Sequence, residues 1–232
     1  YEGDFSIAGV PGTASRINVN FLDSGGAITG KLLPTGNVKD EIKVKGKVYE
    51  YSVIDSANTV ILLHADQFNL KGTEVGPAFN QKNTLEEIEN VRVAIGKHIG
   101  LIGEDEVTSP ATHALPKIAL IAAPEDYINS NGVEVKGEDV DVLGRYVAMG
   151  KLHGAFAVSG GIALATGLQI PGTVVHDILP NHKGSVKIGH PSGVIEVEAA
   201  VETEYVVKRA AVGRTARRIM EGACLVSAKF YE

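Results

Sequence analysis

VAMGKLHGAFAVSGGIALATGLQIPGT, residues 147–173, contains the segment around which we expect the rest of the chain to fold. From Gly154 to Val175 the chain carries no charged residue and no histidine. An apolar run bounded by Ser-Gly-Gly at its start and by Gly167 at its end predicts a short buried helix near residues 159–168. The helix would begin at Ser159, because serine is a favoured N-cap residue.

The start of this predicted helix has the features of an anion site. Gly160 and Gly161 would let a ligand approach the backbone, and the first amide groups of a helix have no intrahelical partner. Together with the helix dipole, these groups suit a carboxylate or a phosphate. A plain core helix explains the pattern as well, and one helix can do both. A membrane span is disfavoured, since Gly, Pro, Ser, Thr and Gln interrupt the run.

The composition indicates a globular chain. The 232 residues have a formal net charge of −6 and 44% hydrophobic content, which suits one large or two small domains. The acidic balance argues against a nucleic-acid partner. A single cysteine, Cys224, excludes an internal disulfide and favours a reducing, cytoplasmic location. No leader segment, metal cluster or cofactor loop is recognised, and the first residues read like the middle of a longer protein.

The rest of the chain predicts strands around two further helices. A strand-like alternation or an apolar run covers residues 17–22, 43–54, 59–63, 117–122, 174–201, 205–207 and 223–228. Helices are predicted at 83–100, with Thr84 and Glu87 as a capping box, and at 138–150. Cys224 is expected in the core. The pattern indicates an α+β fold in which a curved, mostly antiparallel sheet wraps the apolar helix.

Several polar positions have two interpretations each. Asn58 belongs to a turn or presents its amide to a ligand at a strand start. Lys151 balances a helix end or grips a carboxylate. His190 lies in a Pro-Ser-Gly turn, and the basic run 214–218 is expected to pair with acids such as Glu221. Residues 25–31 match part of a phosphate-loop motif, which we reject because Leu32 replaces the required Ser or Thr.

Six short blocks, in order, resemble the family of methylaconitate and methylitaconate isomerases, with their aconitate isomerase and oxalomesaconate tautomerase relatives. The blocks are GVPGTASRI (9–17), LLPTG (32–36), DSAN (55–58), MGKLH (149–153), GHPSG (189–193) and RTARRIM (214–220). The resemblance implies the diaminopimelate epimerase fold, in which two similar halves each form a barrel-like sheet around a central helix. The substrate would bind in the cleft between the halves.

The resemblance also implies site residues. It places the helix start at the cleft, and Asn58, Lys151 and Ser192 as further substrate contacts. His153 and His190 are weaker candidates. In the epimerase branch a catalytic cysteine begins the corresponding helix, whereas Ser159 stands near that place here. A two-thiol racemase mechanism, which an amino-acid epimerase would need, is therefore disfavoured.

One departure from the family pattern changes the expectation for catalysis. The family's N-terminal half supplies a Lys and an Asn-Cys-Gly-Asn motif as acid/base groups, and neither matches this chain. We therefore expect no catalytic residue in this chain. The chain would be a fragment that matches the later part of the family pattern; the alternative is a naturally short, inactive relative. Residues 1–50 would end the N-terminal half, 51–215 would form the C-terminal half, and 216–232 would be a strand returning to the first half.

The function implied is an isomerase that moves a C=C bond by allylic proton transfer in a small unsaturated di- or tricarboxylate. No cofactor is needed in this scheme. The partners would be the substrate, the N-terminal half of the same protein and, in a homo-oligomer, a second copy. The alternative is a non-catalytic carboxylate-binding or assembly module of the same half-fold.

Overall fold

The chain adopts a sheet-dominated α+β fold with few helices. This computed structural model describes residues 2–109, 114–202 and 205–227. The helices are α1 (Lys82–His98), α2 (Val158–Leu168) and α3 (Val174–Ile178). The strands are β1 (Phe5–Ser6), β2 (Thr13–Ala14), β3 (Ile17–Leu22), β4 (Asp40–Val44), β5 (Lys47–Asp55), β6 (Thr59–His64), β7 (Lys117–Ala122), β8 (Tyr127–Ile128), β9 (Glu134–Val135), β10 (Val142–Ala148), β11 (Lys151–Leu152), β12 (Ser185–His190), β13 (Gly193–Glu202) and β14 (Val206–Arg214).

One large mixed sheet organises the described residues. Its strand order is β3-β14-β13-β12-β10-β7-β6-β5-β4, with β11 paired to β10. The β6–β7 and β10–β12 pairs are parallel, and the other pairs in this order are antiparallel. The predicted strands at 17–22, 43–54, 59–63 and 117–122 are confirmed, with bounds that differ by at most a few residues. The predicted turn at 189–193 joins β12 to β13.

Helix α1 covers one face of the sheet and confirms the helix predicted at 83–100. Its apolar stripe packs on β-strand residues such as Ile61, Leu63, Ile118 and Leu120. The predicted capping box is wrong, because the helix begins at Lys82 after Gln81 and Thr84 lies inside the first turn. Glu87 instead accepts hydrogen bonds from Tyr49 Oη at 2.6 Å and Lys47 Nζ at 2.9 Å, which tie α1 to β5.

Helix α2 is the predicted apolar helix, and it packs on the other face of the sheet. Every residue from Gly160 to Leu168 is buried. The helix contacts β5, β6, β12, β13 and β14, which come from both halves of the strand order. Two details of the prediction are wrong. The N-cap residue is Ala157 rather than Ser159, and Gly167 lies within the helix, which is capped by Gln169.

The segment that follows β3 forms a junction with the turn after β5, near the other end of the strand order. Gly25 pairs with Ser56, and the Gly26 amide donates to the Asp55 carbonyl at 2.7 Å. The Asp55 carboxylate accepts from the Ile28 and Thr29 amides at 3.0 and 2.6 Å. These amides are therefore satisfied within the protein, which agrees with our rejection of a phosphate loop here.

A buried chain of hydroxyl groups fixes this junction to α2. Ser56 Oγ lies 3.0 Å from Ser24 Oγ and 3.1 Å from Thr166 Oγ1. All three residues are buried. The junction confirms the predicted turn at residues 55–58 and fixes where Asn58 lies relative to α2.

Three predicted elements are wrong. Residues 138–150 form a short 3-10 turn and β10 rather than a helix. The prediction fails because residues 142–147 are buried on both faces and so show no strand-like alternation. Residues 174–178 form α3, with Thr173 Oγ1 capping the His176 amide at 3.2 Å. Residues 223–227 form no strand and Cys224 is exposed, so the core assignment of this cysteine fails; Ala228, the last residue of that predicted strand, lies outside the described residues.

The predicted division at residues 50 and 215 stays a prediction. Strands β3 and β4, which precede residue 50, belong to the large sheet. The segment 216–227 is exposed and carries the predicted Arg218–Glu221 ion pair, at 3.0 Å. In the described parts of the chain we find no helix with the length and hydropathy to cross a bilayer.

Candidate functional site

The start of α2 lies beside the turn that carries Asn58. Asn58 Nδ2 is 3.4 Å from Ser159 Oγ, and both residues are half-buried. The turn holds Ala57 at φ 58°, a conformation that is uncommon for residues other than glycine. Asn58 Oδ1 is buried and has no hydrogen-bond partner among the described residues. The fold therefore brings two of the predicted site residues into contact.

Free amide groups open α2. The first helical hydrogen bond runs from the Gly161 amide to the Ala157 carbonyl at 2.9 Å. The amides of Val158, Ser159 and Gly160 precede this bond, so they are the donors that a carboxylate could use. The Gly161 amide is already paired and belongs to the helix rather than to the site.

The two glycines have a packing role. A Cβ atom on Gly160 would lie 2.4 Å from Tyr146 Cε2, and one on Gly161 would lie 3.0 Å from Val197 Cγ2. Both residues are buried, and their Cα atoms face side chains of the sheet. This close approach explains the glycines without a ligand, whereas the sequence suggested that they open the backbone to one.

Two histidine turns of the same kind lie near each other. His153 Nδ1 accepts from the Ala155 amide at 3.1 Å, and His190 Nδ1 accepts from the Ser192 amide at 3.2 Å. With Nδ1 accepting, each neutral imidazole carries its proton on Nε2. His190 is only 2% exposed. Burial, with smaller effects of the Arg145 and His153 charges, lowers the pKa of His190 to about 4.

Ser192 links these turns. Its hydroxyl donates to the Gly154 carbonyl, next to His153, and its amide holds His190. A Cβ atom on Gly9 would lie 3.1 Å from Ser192 Cβ, so the N-terminal residues also contact this turn. The Ser192 hydroxyl is therefore engaged within the protein in this structure.

Arg145 is a buried charge that the sequence analysis missed. It is fully buried, and its guanidinium donates to the carbonyls of Glu74, Gly144 and Gly189 at 2.7–3.1 Å. Burial lowers the pKa of Arg145 to about 10. Its Nη2 atom has no hydrogen-bond partner among the described residues. The mistaken helix at 138–150 hid this residue, because a charged position looked like part of a solvated helix face.

Lys151 is exposed and pairs with Ala148 in the β10–β11 register. Ala148 packs against the core on the α2 face of the sheet, and side chains directly opposite each other share a face. Lys151 therefore lies on the same face as Tyr146 and α2. No ion pair of Lys151 is found among the described residues.

The candidate residues form two separate groups. Five cavities of about 210–610 Å³ are lined by residues other than Asn58, Ser159, Lys151 and Ser192. Asn58 meets Ser159 directly, and His153, Ser192 and His190 are joined by hydrogen bonds. No hydrogen bond among the described residues joins these two groups. Across the described ranges, no three His, Cys, Asp or Glu side chains cluster as metal ligands would.

Comparison with known proteins identifies close relatives. The chain is 39% identical over 225 residues to the 3-methylitaconate isomerase of Eubacterium barkeri, covering 95% of this chain and 59% of the relative. It is 34% identical to the 2-methyl-aconitate isomerase of Shewanella oneidensis, with 95% and 57% coverage. It is 30% identical to the 4-oxalomesaconate tautomerase of Pseudomonas putida, with 97% and 57% coverage.

A solved structure has the same fold. The crystal structure of methylitaconate-delta-isomerase superposes with a TM-score of 0.89 at 38% identity, covering 95% of this chain and 58% of that chain. This chain thus spans less than three fifths of the length of these relatives. The model of the family described as PrpF protein matches residues 1–227. The resemblance noted in the sequence is confirmed, and the chain belongs to the PrpF protein family.

Proposed function

We propose that this chain contributes the carboxylate-binding part of an isomerase that moves a C=C bond in a small unsaturated di- or tricarboxylate. The observation that carries the proposal is the Asn58–Ser159 contact beside the free amides at the start of α2. The similarity to proteins named methylitaconate and methylaconitate isomerases supports this chemistry. The acting base and acid would come from outside the chain.

In this mechanism a base removes an allylic proton and a dienolate-like intermediate forms. An acid then returns the proton two carbons away. The difficult step is the spread of negative charge onto a substrate carboxylate. Donors aimed at that charge stabilise the transition state, and the loss of one donor typically costs about 3–4 kcal/mol. The amides of Val158, Ser159 and Gly160 are such donors, and the α2 dipole adds to their effect.

The remaining residues have proposed roles in binding. Asn58 and Ser159 orient one carboxylate, and Lys151 attracts the negatively charged substrate from the same face of the sheet. His153 and His190 offer Nε2–H groups as neutral donors, because their Nδ1 atoms accept backbone amides. Ser192 positions both histidine turns through its amide and hydroxyl.

The proposal extends to architecture. We propose a diaminopimelate epimerase-like half in which the sheet forms a barrel around α2, supported by the junction between the segment after β3 and the turn after β5. A second half of the same protein would complete the cleft, and this chain would then be a fragment.

The alternative is a module that binds carboxylates without catalysis. One observation favours it: the only cysteine, Cys224, lies on an exposed segment rather than beside α2. Proton NMR in deuterium oxide separates the two functions. An isomerase incorporates deuterium at the allylic positions of aconitate or methylitaconate, whereas a binding module leaves these positions protonated.

Binding itself is tested by NMR titration of the amides of residues 158–160 with cis-aconitate. The proposal requires shifts at these amides and at the Asn58 side chain. A titration in which aconitate leaves all of them unchanged would overturn both functions.

A further inference from the structure

A second lysine lies on the α2 face of the sheet. Lys117 is the first residue of β7 and is half-buried. The following residues alternate between the two faces. Ile118 and Leu120 pack against α1, whereas Ala119 and Ile121 pack in the core around α2. By this alternation the Lys117 side chain lies on the α2 face.

The strand register places Lys117 in one row with Lys151. Lys117 is the partner of Val60 in the β6–β7 pair. On its other side, one step beyond the Val147–Ile118 pair, it stands opposite Ala148, which in turn pairs with Lys151. The two lysines thus flank Ala148, two strand spacings or about 10 Å apart at their Cα atoms.

This row lies between the row that α2 crosses and the turn that carries Asn58. Asn58, which contacts Ser159, precedes Val60 by two residues and shares its face. Tyr146, two residues before Ala148, contacts Gly160. Gly167 approaches Leu62, which lies in the same cross-strand row as Tyr146, so α2 crosses the strands along that row. The lysine row, Asn58 and the free amides of α2 therefore belong to one region.

The described residues provide no counter-ion for either lysine. Among the described residues, Lys117 has no hydrogen bond or ion pair, and neither has the Lys151 ammonium. Burial, together with the nearby Arg92 charge, lowers the pKa of Lys117. A partly desolvated cation without a counter-ion gains more from a carboxylate ligand than a solvated one does.

We propose that Lys117 binds a second carboxylate of the substrate, with Lys151, while the start of α2 binds the first. This inference rests on the proposed function, and it assigns a residue to the second carboxylate of the proposed di- or tricarboxylate. The half-buried cation thus selects against monocarboxylates, which can occupy only one of the two positions.

The test compares acetate, succinate and cis-aconitate, with one, two and three carboxylates, by NMR titration of the purified protein. In Lys117→Met the dissociation constants of succinate and aconitate should rise about tenfold, because a charged hydrogen bond is lost. The acetate constant should stay within about twofold, since acetate uses the α2 amides. Lys117→Arg should retain most of the affinity.

Lys187→Met is the matched control. Lys187 is an exposed lysine of β12 in the same sheet, but its neighbours Val186 and Ile188 pack towards α2, so it faces away. This variant should bind all three acids like the wild type. Equal weakening in the Lys187 and Lys117 variants would show a general charge effect and overturn the inference.

The outcomes separate this inference from the proposed function. If the wild type binds none of the acids, both fail. If it binds aconitate through the α2 amides and Lys117→Met binds equally well, only the role of Lys117 fails.

A second measurement needs no substitution at this position. Reductive methylation followed by peptide mass analysis reports the accessibility of each lysine. Saturating aconitate should protect Lys117 and Lys151 but leave Lys187 reactive. Undiminished methylation of Lys117 in the presence of bound aconitate would overturn the inference even if the Met variant failed to fold.

Discussion

At the residue scale, the central contact of the candidate site joins Asn58 to Ser159, which 101 residues separate in the chain. The sequence analysis predicts both as site residues. The packing role of Gly160 could not be predicted, because it depends on the Tyr146 ring, which the sequence placed on a helix. Lys117 was passed over, since its significance comes from strand register rather than from a motif.

Replacing Gly160 by alanine tests that packing role. The new Cβ atom would lie 2.4 Å from Tyr146 Cε2, so Gly160→Ala should lower the free energy of unfolding by about 1–3 kcal/mol. Gly154→Ala is the control, because no atom lies within 4 Å of its Cβ position. Urea denaturation measures both, and equal stabilities would contradict the packing explanation.

The buried His190 makes stability depend on pH. Its pKa is about 4 in the folded protein, against about 6.5 when it is exposed on unfolding. As the pH falls, the histidine is protonated in the unfolded state before it is protonated in the folded state. The free energy of unfolding should therefore fall by about 3 kcal/mol as the pH drops from 6.5 to 4. Denaturant titrations across this range should show a smaller pH dependence in His190→Gln. Identical slopes in both proteins would refute the assignment.

At the element scale, local patterns predicted α1, α2 and most strands, but failed where tertiary burial hides the period. Strand β10 is buried on both faces, so Val142, Leu143, Tyr146 and Val147 mimic an apolar helix stripe. A strand between two helical layers has apolar residues on both faces, so its sequence shows no alternation of apolar and polar residues from which a strand could be predicted. The same limit hid Arg145, whose partners are backbone carbonyls of other segments.

The junction between the segment after β3 and the turn after β5 should depend on Asp55. Its buried carboxylate accepts the Ile28 and Thr29 amides and the Thr29 hydroxyl. Asp55→Ala leaves these donors without their acceptor and should destabilise the protein by about 2–4 kcal/mol. Hydrogen exchange should accelerate first at Ile28 and Thr29. Thr29→Val, which removes the hydroxyl donor but keeps both amide donors, should cost about 1 kcal/mol. Slow exchange at these amides in Asp55→Ala would contradict the role of Asp55.

At the scale of the whole molecule, the order of the strands in the sheet cannot be predicted from local sequence patterns. The sequence predicted an α+β fold with a mostly antiparallel sheet, and a sheet-dominated α+β fold is what forms. The two parallel pairs and the joining of β3 to β5 through residues 24–57 depend on long-range register. No periodicity within a single segment encodes which distant strand becomes its neighbour.

The exposed segment 216–227 leads to a prediction for the whole protein. Cys224 is exposed there, in contrast to the core position expected from its apolar neighbours. A disulfide reagent should label the native protein at a rate close to that of a free thiol, without denaturant. Labelling that requires urea would show that this segment is covered in solution.

The two histidine turns can serve as built-in NMR probes of ligand binding. Since a backbone amide occupies Nδ1 in both rings, ¹⁵N spectra should show His153 and His190 as the same tautomer. A ligand that accepts from either Nε2–H would perturb that ring's proton resonance while its Nδ1 partner stayed in place. Isotope enrichment alone would then follow occupancy, with no dye, tag or coupled assay attached to the protein.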